Sequence, residues 1–257
     1  MEQAGVQSRK QPSRFKAAQP AFAALSPRFF NRDAAIVARA LLGKLLVRRY
    51  AGPARGAKSG GAGPQGELLI GRVVEAEAYL GEIDPGSHAF NGKTPRNAVL
   101  FGPPGIAYVY FIYGNHYCLN VSCRSEGHAE GVLFRALEPV SGVATMARLR
   151  GLDLRGAELC RPLPASTSAE SPSGVGSAAL RLIASGPGRL AQAMAITRQA
   201  HNGMALTDAG SELFLADDGW RPARIAATPR INVTKAADRL LRFVIAGNQF
   251  VSAKRVD

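Results

Sequence analysis

The stretch 68–80 (LLIGRVVEAEAYL) has the pattern of a β-strand that is apolar on one face and acidic on the other. Side chains alternate across a strand. One face is therefore predicted to carry Val73, Glu75, Glu77 and Tyr79, and the other, which should face a core, Val74, Ala76, Ala78 and Leu80. Acidic side chains are depleted in strands and are costly to bury without a partner. In a fold that contains this strand, each carboxylate should therefore have either a partner that compensates its charge or a functional role.

Aromatic rings are concentrated in a second segment, residues 108–117 (YVYFIYGNHY), around a turn at Gly114-Asn115. An acid beside stacking surfaces suits chemistry on a nucleobase. From spacing alone two interpretations of Glu77 remain open. It is either a catalytic carboxylate or a strand acid paired with an arginine such as Arg96 or Arg135.

The charge balance favours a polyanionic partner. Lys and Arg total 32 against 19 Asp and Glu, a formal net charge of +13, and such an excess is typical of proteins that bind nucleic acid. No apolar run reaches the roughly 18–20 residues of a membrane span, so we expect no membrane association. Three cysteines in a chain of 257 residues suggest a reducing, intracellular compartment.

The spacing of apolar residues and of Gly and Pro predicts an α+β fold. A helix is expected to end at Leu42, with Asn31 or Asp33 as N-cap and Gly43 as the stop. We predict a single mixed domain over 26–257, with a curved, mostly antiparallel sheet, short helices and a protruding β-hairpin. Residues 1–25 are predicted to be a flexible basic tail, and a stretch near 160–178 a mobile insertion. Strands are predicted at 44–50, 68–80, 131–137, 212–215, 223–226 and 241–245, the hairpin at 105–112 and 117–122, helices at 141–149 and 189–196, and irregular segments at 52–66 and 82–104.

Four motifs make the sequence recognisable: VEAEAYLG at 74–81, TPRN at 94–97, YVY at 108–110 followed by Tyr113-Gly114, and RALEP at 135–139. In this order they closely resemble the alkyladenine type of 3-methyladenine DNA glycosylase. The resemblance covers 27–149 and, more loosely, 186–256. It implies an enzyme of base-excision repair that flips damaged purines out of double-stranded DNA and releases them.

The resemblance implies that Glu77 is the general base. It would deprotonate a water that attacks the sugar C1′, and its charge would stabilise the oxocarbenium-like transition state. Glu75 lies on the same predicted face and is expected to be structural.

The resemblance also implies a pocket that receives the flipped base. Tyr79, His88 and Tyr110 would sandwich the base, with the histidine also hydrogen-bonding. Asn120 would lie at the pocket floor and exclude the 2-amino group of guanine, and Leu133 would line the site.

Contacts to the DNA backbone are expected from other residues. Tyr113 would wedge into the minor groove and fill the space left by the flipped nucleotide. Arg135 matches a family arginine that contacts a phosphate beside the target, and Arg96 is a further DNA-binding candidate. Asn115 and His116 depart from the bulkier residues expected at the hairpin tip. Wider phosphate contacts are expected from a basic set that is not ranked: Lys93, Arg124, Arg189, Lys235 and Arg242.

No nucleophilic lysine stands out in these motifs, so we expect a monofunctional hydrolase that leaves an abasic site. The expected substrates are 3-methyladenine, 7-methylguanine and hypoxanthine. We expect no cofactor, no metal, no obligate protein partner and a monomer.

Three alternatives compete with this interpretation. The spacing of His116, Cys118, Cys123 and His128 could suggest zinc, but it is not a standard ligand pattern. A non-catalytic nucleic-acid binding module would leave Glu77 without a task, since a bare carboxylate facing a polyanion weakens binding. A sugar-processing glycosidase would need space between its acids, whereas alternate strand residues lie only about 6.5–7 Å apart.

Overall fold

In the part of the chain that the structure describes, nine strands form one antiparallel sheet. The structure, a computed structural model, describes residues 22–52, 66–153 and 175–252. The strands are β1 Ala23–Ala24, β2 Leu45–Tyr50, β3 Glu67–Tyr79, β4 Ala107–Ile112, β5 His116–Cys123, β6 Glu130–Ser141, β7 Leu213–Asp217, β8 Ile225–Thr228 and β9 Arg242–Ile245. The helices are α1 Pro27–Phe30, α2 Ala34–Leu41, α3 Val143–Leu149, α4 Val175–Ala184, α5 Pro187–Ala193 and α6 Arg198–His201. The predicted α+β class, with a curved sheet and short helices, is confirmed.

Strand β3 lies at the centre of the sheet. One of its edges pairs with β6, while its other edge pairs first with β2 and then, at Glu75–Glu77, with β9. Both acids therefore have a neighbouring strand on each side. This position explains why Glu75 and Glu77 are fully buried.

Two β-bulges lie around Glu75. Val73 pairs with Leu137 and Glu75 with Ala136, so β3 contains one extra residue there, and the next step places an extra residue, Arg135, in β6. Bulges change the direction in which side chains point. Val73 was predicted to share the face of Glu75, and this was wrong, because Val73 and Val74 both pack in the main hydrophobic core.

Helix α2 forms as its sequence predicts. Asp33 is the N-cap, and its side chain accepts a hydrogen bond from the Ala35 amide at 2.8 Å. The buried residues follow the spacing of one helix face, and Gly43 ends the turn at φ +89°. A side chain at Gly43 would meet the Trp220 ring at 2.8 Å. The buried face consists of Ala34, Val37, Ala38 and Leu41.

Some expected segments differ at their ends. Ala23 and Ala24, at the end of the predicted tail, pair with β7, and helix α4 begins inside the predicted insertion. Short helices α1 and α6 and strand β1 were not predicted. Most of the tail, of the loop at 52–66 and of the insertion near 160–178 lies outside the described residues.

Candidate active site

Glu77 is held by two hydrogen bonds and one ion pair, with partners from different parts of the chain. Its Oε1 accepts from the Ile231 amide at 2.8 Å and lies 3.2 Å from Nη1 of Arg135. Its Oε2 accepts from the Tyr79 hydroxyl at 2.9 Å. The carboxylate is fully buried, so these three groups cover it. The predicted alternative partner Arg135 is thus in contact with Glu77.

Glu75 is the centre of a second buried network. Arg135 and Arg242 donate to its Oε1 through Nε at 3.0 and 2.7 Å. The Ser252 amide donates to Oε2 at 2.6 Å, and the Ser252 hydroxyl donates to Oε1 at 2.9 Å. Arg242 had been expected among phosphate contacts, but it is 4% exposed and is bound to Glu75. The expected structural position of Glu75 agrees with this arrangement.

Arg135 connects the two acids. The bulge in β6 places its guanidinium between Glu75 and Glu77, and only 8% of the residue is exposed. Burial by itself lowers the pKa of Arg135, but the charges of Glu77 and Glu75 outweigh that effect and raise it. Arg135 therefore remains a cation in contact with both carboxylates.

A pocket of about 800 Å³ opens beside these acids. Its lining includes Tyr79, His88 and Tyr110, and a volume of this size is in the range of small-molecule sites. The His88 and Tyr110 rings are in edge contact, with centroids 4.6 Å apart at 73°. Glu77 lies directly behind the pocket wall, because its contacts Tyr79, Arg135 and Ile231 line the pocket.

Side chains of the hairpin and of β6 line the same pocket. Cys118, Asn120 and Leu133 are all buried at its wall. The Asn120 amide nitrogen donates to the Tyr108 carbonyl at 3.1 Å, which fixes the orientation of its side chain. The structure thus brings together all five predicted base-binding residues in one cavity.

The ionisable rings that line the pocket are uncharged at neutral pH. Burial lowers the pKa of His88, and the nearby charge of Arg96 lowers it further, so its imidazole is uncharged at pH 7. Burial raises the pKa of Tyr79, and the neighbouring Glu77 charge adds to this. The Tyr79 hydroxyl therefore stays protonated and acts as a donor to Glu77.

Two of the predicted DNA-contacting residues are exposed on the surface of the protein. Tyr113 is 77% exposed at the tip of the hairpin, with φ +54°, and is followed by Gly114 at φ +71°. Successive positive φ values are typical of a type I′ turn, and such values are unusual for tyrosine. Arg96 is exposed, with its guanidinium carbon 5.6 Å from the centroid of the Tyr110 ring.

The comparison with known proteins identifies the family. The profile of the methylpurine-DNA glycosylase family matches residues 61–249. A provisionally named 3-methyladenine DNA glycosylase of Koribacter versatilis is 51% identical over 88% of this chain and 92% of its own length. Similarly named proteins of Burkholderia cenocepacia and Carboxydothermus hydrogenoformans are each 40% identical, over 93% and 90% of this chain and 96% and 100% of theirs.

The chain belongs to the methylpurine-DNA glycosylase family.

Membership of the methylpurine-DNA glycosylase family makes the protein a DNA N-glycosylase, a hydrolase of DNA repair, and confirms the expected enzyme class. The matched residues include both acids, the ring-lined wall and the hairpin. Ser252, which binds Glu75, lies just beyond them.

Sequence reasoning missed one pair of site residues in this glycosylase. Asp84 and Arg230 form a fully buried ion pair beside Tyr79. The Asp84-Pro85-Gly86 sequence is a turn signal that could have indicated Asp84. Nothing local in the sequence marks Arg230, because its partner is 146 positions away.

Across the three described ranges, no group of three or more His, Cys, Asp or Glu is arranged to hold a metal ion. His116 and Cys118, which belong to the alternative zinc pattern, line the pocket. Nor do these ranges contain a helix long and apolar enough to cross a membrane.

Stability is expected to fall in acid. Burial raises the pKa of Glu75 and Asp84, but contacts with Arg135, Arg242 and Arg230 outweigh burial and lower both. Carboxylates with a lowered pKa contribute stability that is present above their ordinary values, 4.5 for Glu75 and 3.8 for Asp84, and that is lost as pH falls through the folded values. Tm should fall only gently from pH 7 to about 5, where the lowered pKa of His88 means that the unfolded chain binds more protons than the folded one. Below about pH 4.5 the fall should be steep, because the paired carboxylates are then protonated.

The variant Asp84→Asn should lower Tm at pH 7 and flatten the acid limb, since one titrating group is removed. A Tm that rises on acidification, or an unchanged slope in this variant, would contradict the assignment.

Proposed function

We propose that the protein is a monofunctional DNA glycosylase that flips damaged purines out of double-stranded DNA and releases them by hydrolysis. The proposed bases are 3-methyladenine, 7-methylguanine and hypoxanthine, and the product is an abasic site. The observation that carries the proposal is a buried carboxylate, Glu77, directly behind a pocket lined by Tyr79, His88 and Tyr110. Relatives named for 3-methyladenine support the substrate class.

Glu77 is the proposed general base. Its Oε1 accepts from the Ile231 amide and faces the guanidinium of Arg135 in an ion pair, whereas Oε2 contacts only the Tyr79 hydroxyl. Each carboxylate oxygen has two acceptor positions, so Oε2 keeps one for a water. This water would attack C1′ while Glu77 takes its proton. Glu77 itself is not exposed, so the water must reach Oε2 from the pocket, past the Tyr79 hydroxyl that contacts the same oxygen.

The rings supply the binding energy for a flipped base. Extrusion of a base costs a few kcal/mol, and stacking on an aromatic ring returns about 1–3 kcal/mol per base. In the proposed pose Tyr79 covers one face of the purine, and His88 with Tyr110 covers the other. Alkylated purines are electron-poor and stack well on such rings.

Selectivity is assigned to the pocket floor. Asn120 is oriented by its hydrogen bond to Tyr108, and Leu133 lies beside it on β6. An oriented amide at this position would crowd the 2-amino group of guanine. Adenine-derived bases and hypoxanthine lack that group and would enter freely. 7-Methylguanine keeps the group, so its release is proposed to be slower and to depend on its positive charge, which strengthens stacking and weakens the glycosidic bond.

The DNA itself is proposed to meet the hairpin side of the pocket. Tyr113 projects from the tip and would occupy the hole left by the flipped nucleotide. Arg96, at the outer side of Tyr110, would contact the backbone. Arg135 would approach the phosphate beside the target from inside the pocket, while it keeps contact with Glu75 and Glu77.

The proposed reaction needs no cofactor and one protein per lesion, so we propose a monomer without an obligate protein partner. The protein would act inside the cell, in the compartment that holds the DNA.

A base-release assay tests the function. A duplex oligonucleotide that carries one hypoxanthine, and a methylated duplex as the second substrate, would be incubated with the protein and then heated in alkali. Strand cleavage only after alkali is expected. Failure to release a base from either substrate overturns the function.

A separate experiment tests whether the enzyme also has lyase activity. Lys235 lines the pocket, so a lyase using its amine is the specific competitor. Borohydride added during the reaction should trap no covalent protein–DNA adduct. A trapped adduct, absent in Lys235→Met, would show a lyase instead.

Tyr113→Ala is expected to weaken base flipping and to leave stability unchanged, because the side chain is 77% exposed. Loss of one stacked ring should reduce the flipped population roughly tenfold, equivalent to about 1.4 kcal/mol. The measurement is the fluorescence of a 2-aminopurine placed next to the lesion, which rises when its neighbour leaves the stack. Tyr113→Phe, which keeps the ring, should behave as the parent. Equal fluorescence for Tyr113→Ala and the parent would exclude the wedge role.

A further inference from the structure

Asp84 and Arg230 form a two-pronged ion pair in which neither side chain is exposed. Nη1 of Arg230 lies 2.5 Å from Oδ2 of Asp84, and Nη2 lies 2.8 Å from Oδ1. Parallel pairs of this kind fix the relative orientation of the two groups as well as their distance. A buried ion pair contributes little stability compared with an apolar pair of the same size, because desolvation offsets its attraction, although loss of one of its charges is costly. A role in geometry therefore explains the pair better than a role in stability.

Each member of the pair also binds backbone groups of the elements that surround the pocket. Asp84 accepts from the amides of Leu80 and Gly86 at 3.1 and 3.0 Å, and so ties the end of β3 to the loop that carries His88. Arg230 donates to the Ala78 carbonyl at 3.1 Å, between Glu77 and Tyr79. The pair thus joins β3 to the loop on one side and to the segment after Arg230 on the other.

Arg230 also contacts the groups that surround the base. Its guanidinium carbon lies 4.7 Å from the centroid of the Tyr79 ring. The next residue, Ile231, donates its amide to Glu77 at 2.8 Å. One side chain therefore sets the position of Tyr79 and, through the adjoining peptide, the orientation of the Glu77 carboxylate.

The side chains around the pair are closely packed. A side chain at Gly86 would meet Nη2 of Arg230 at 2.7 Å and Cγ1 of Val233 at 2.8 Å. The segment that follows Arg230 contains Asn232 at φ +58°, a left-handed conformation that asparagine tolerates better than most residues. Residues 231–235 line the pocket, and the ion pair holds the residue from which this segment begins.

We propose that Asp84 and Arg230 are positioning residues for base release: they hold Tyr79, the His88 loop and the Glu77 carboxylate in the relative positions that the reaction requires. The proposal deepens the proposed function and rests on it. Neither residue touches the reacting atoms. Their effect is on the rate of the chemical step, because a displacement of about 1 Å at a reacting group can reduce a rate by roughly 10²-fold.

The chain offers a matched control in the Arg72–Asp218 pair. Arg72 also makes a two-pronged pair, at 2.8 and 3.1 Å, and donates to a backbone carbonyl, that of Gly43, at 2.7 Å. Its guanidinium carbon lies 4.7 Å from the Trp220 ring centroid. The arrangement repeats that of Arg230, but none of these residues lines the pocket.

The test compares Asp84→Asn with Asp218→Asn under single-turnover conditions, with saturating protein on a hypoxanthine duplex, at a temperature where both variants are folded. Asp84→Asn should release the base roughly 10- to 100-fold more slowly than the parent, with duplex affinity within about threefold. Asp218→Asn should lower Tm by a smaller amount, since the Asp218 side chain is 18% exposed, and keep the parent rate within about twofold. The 2-aminopurine next to the lesion should show a flipped population within about twofold of the parent in both variants, so that the loss in Asp84→Asn lies in the chemical step and not in flipping.

Arg230→Lys provides a second variant in case Asp84→Asn does not fold. It keeps the charge but loses the two-pronged geometry, so it should also release the base about tenfold more slowly. The double variant D84N/R230K should be no slower than the slower single variant, because both changes remove the same restraint.

A parent-like or faster rate in folded Asp84→Asn or Arg230→Lys overturns the positioning role. So does an equal loss of rate in Asp218→Asn, which would show a general effect of stability. A parent protein without base release would overturn the proposed function itself, whereas an active parent with an equally active Asp84→Asn overturns only the positioning role.

Discussion

Glu77→Gln is expected to abolish measurable base release while binding of the damaged duplex persists. Glutamine has the same shape as glutamate but cannot take the proton of the attacking water or carry the negative charge that faces the oxocarbenium-like sugar. Loss of a positioned base typically costs about 10²–10⁴ in rate, and loss of the charge adds to this. We expect a reduction at the upper end of that range.

The fold should tolerate this substitution. The amide oxygen of glutamine can still accept from the Ile231 amide, and its nitrogen can donate to the Tyr79 hydroxyl. Arg135 keeps its contact with Glu75, so no buried cation is left without an anion. Single-turnover release from a hypoxanthine duplex, together with binding measured by titration, gives both quantities.

The control is Glu82→Gln, since Glu82 is exposed on the turn after β3. It should match the parent in both assays. Full activity in Glu77→Gln would remove Glu77 as the base, and loss of binding together with rate would mean that the substitution acts through the fold.

Glu75→Gln is expected to have the opposite effect, a large loss of stability. Glu75 is the anion for Arg135 and Arg242 and accepts two hydrogen bonds from Ser252. Removal of one partner from a buried ion pair typically costs about 3–5 kcal/mol, because a charge is left buried and uncompensated. We expect a decrease of this size in the free energy of unfolding.

Urea unfolding measures this prediction. Glu82→Gln, at an exposed site, should change the free energy of unfolding by no more than about 0.5 kcal/mol. Glu77→Gln should fall between the two, because Arg135 retains Glu75. A loss below about 1 kcal/mol for Glu75→Gln would show that the network is not what holds β3, β9 and the end of the described chain together.

The two substitutions separate acids that share one strand. Glu75 binds two arginines and the backbone of Ser252, whereas Glu77 contacts groups that line the pocket. Substitution of Glu75 should therefore lower stability, and substitution of Glu77 should lower the rate of base release.

Several parts of the fold follow from local sequence. Helix α2 was predicted with Asn31 or Asp33 as its cap, of which the structure has Asp33, and with its stop at Gly43, since these residues act through short-range backbone geometry. The hairpin at β4 and β5 was predicted from its strand pattern and its turn. Strand β3 was predicted almost to its ends, because period-two alternation is a property of neighbouring residues.

The period-two alternation predicted the wrong face of the strand for Val73. The bulges on β3 and β6 depend on how the two strands pair, and strand pairing is absent from the pattern of either strand alone. These bulges also decide the position of Arg135 between the two acids. Arg135 was a candidate for either a phosphate contact or an ion pair. The pairing of β6 with β3 decides which groups it contacts.

The sequence by itself determined the chemical groups available: a strand acid, a run of rings, an amide on the next strand and a basic surface charge. Only the tertiary structure decided which groups meet. Arg242 reaches Glu75 over 167 positions and Arg230 reaches Asp84 over 146. The physical reason is that such contacts form when strands and loops pack, and they leave no periodic signal along the chain.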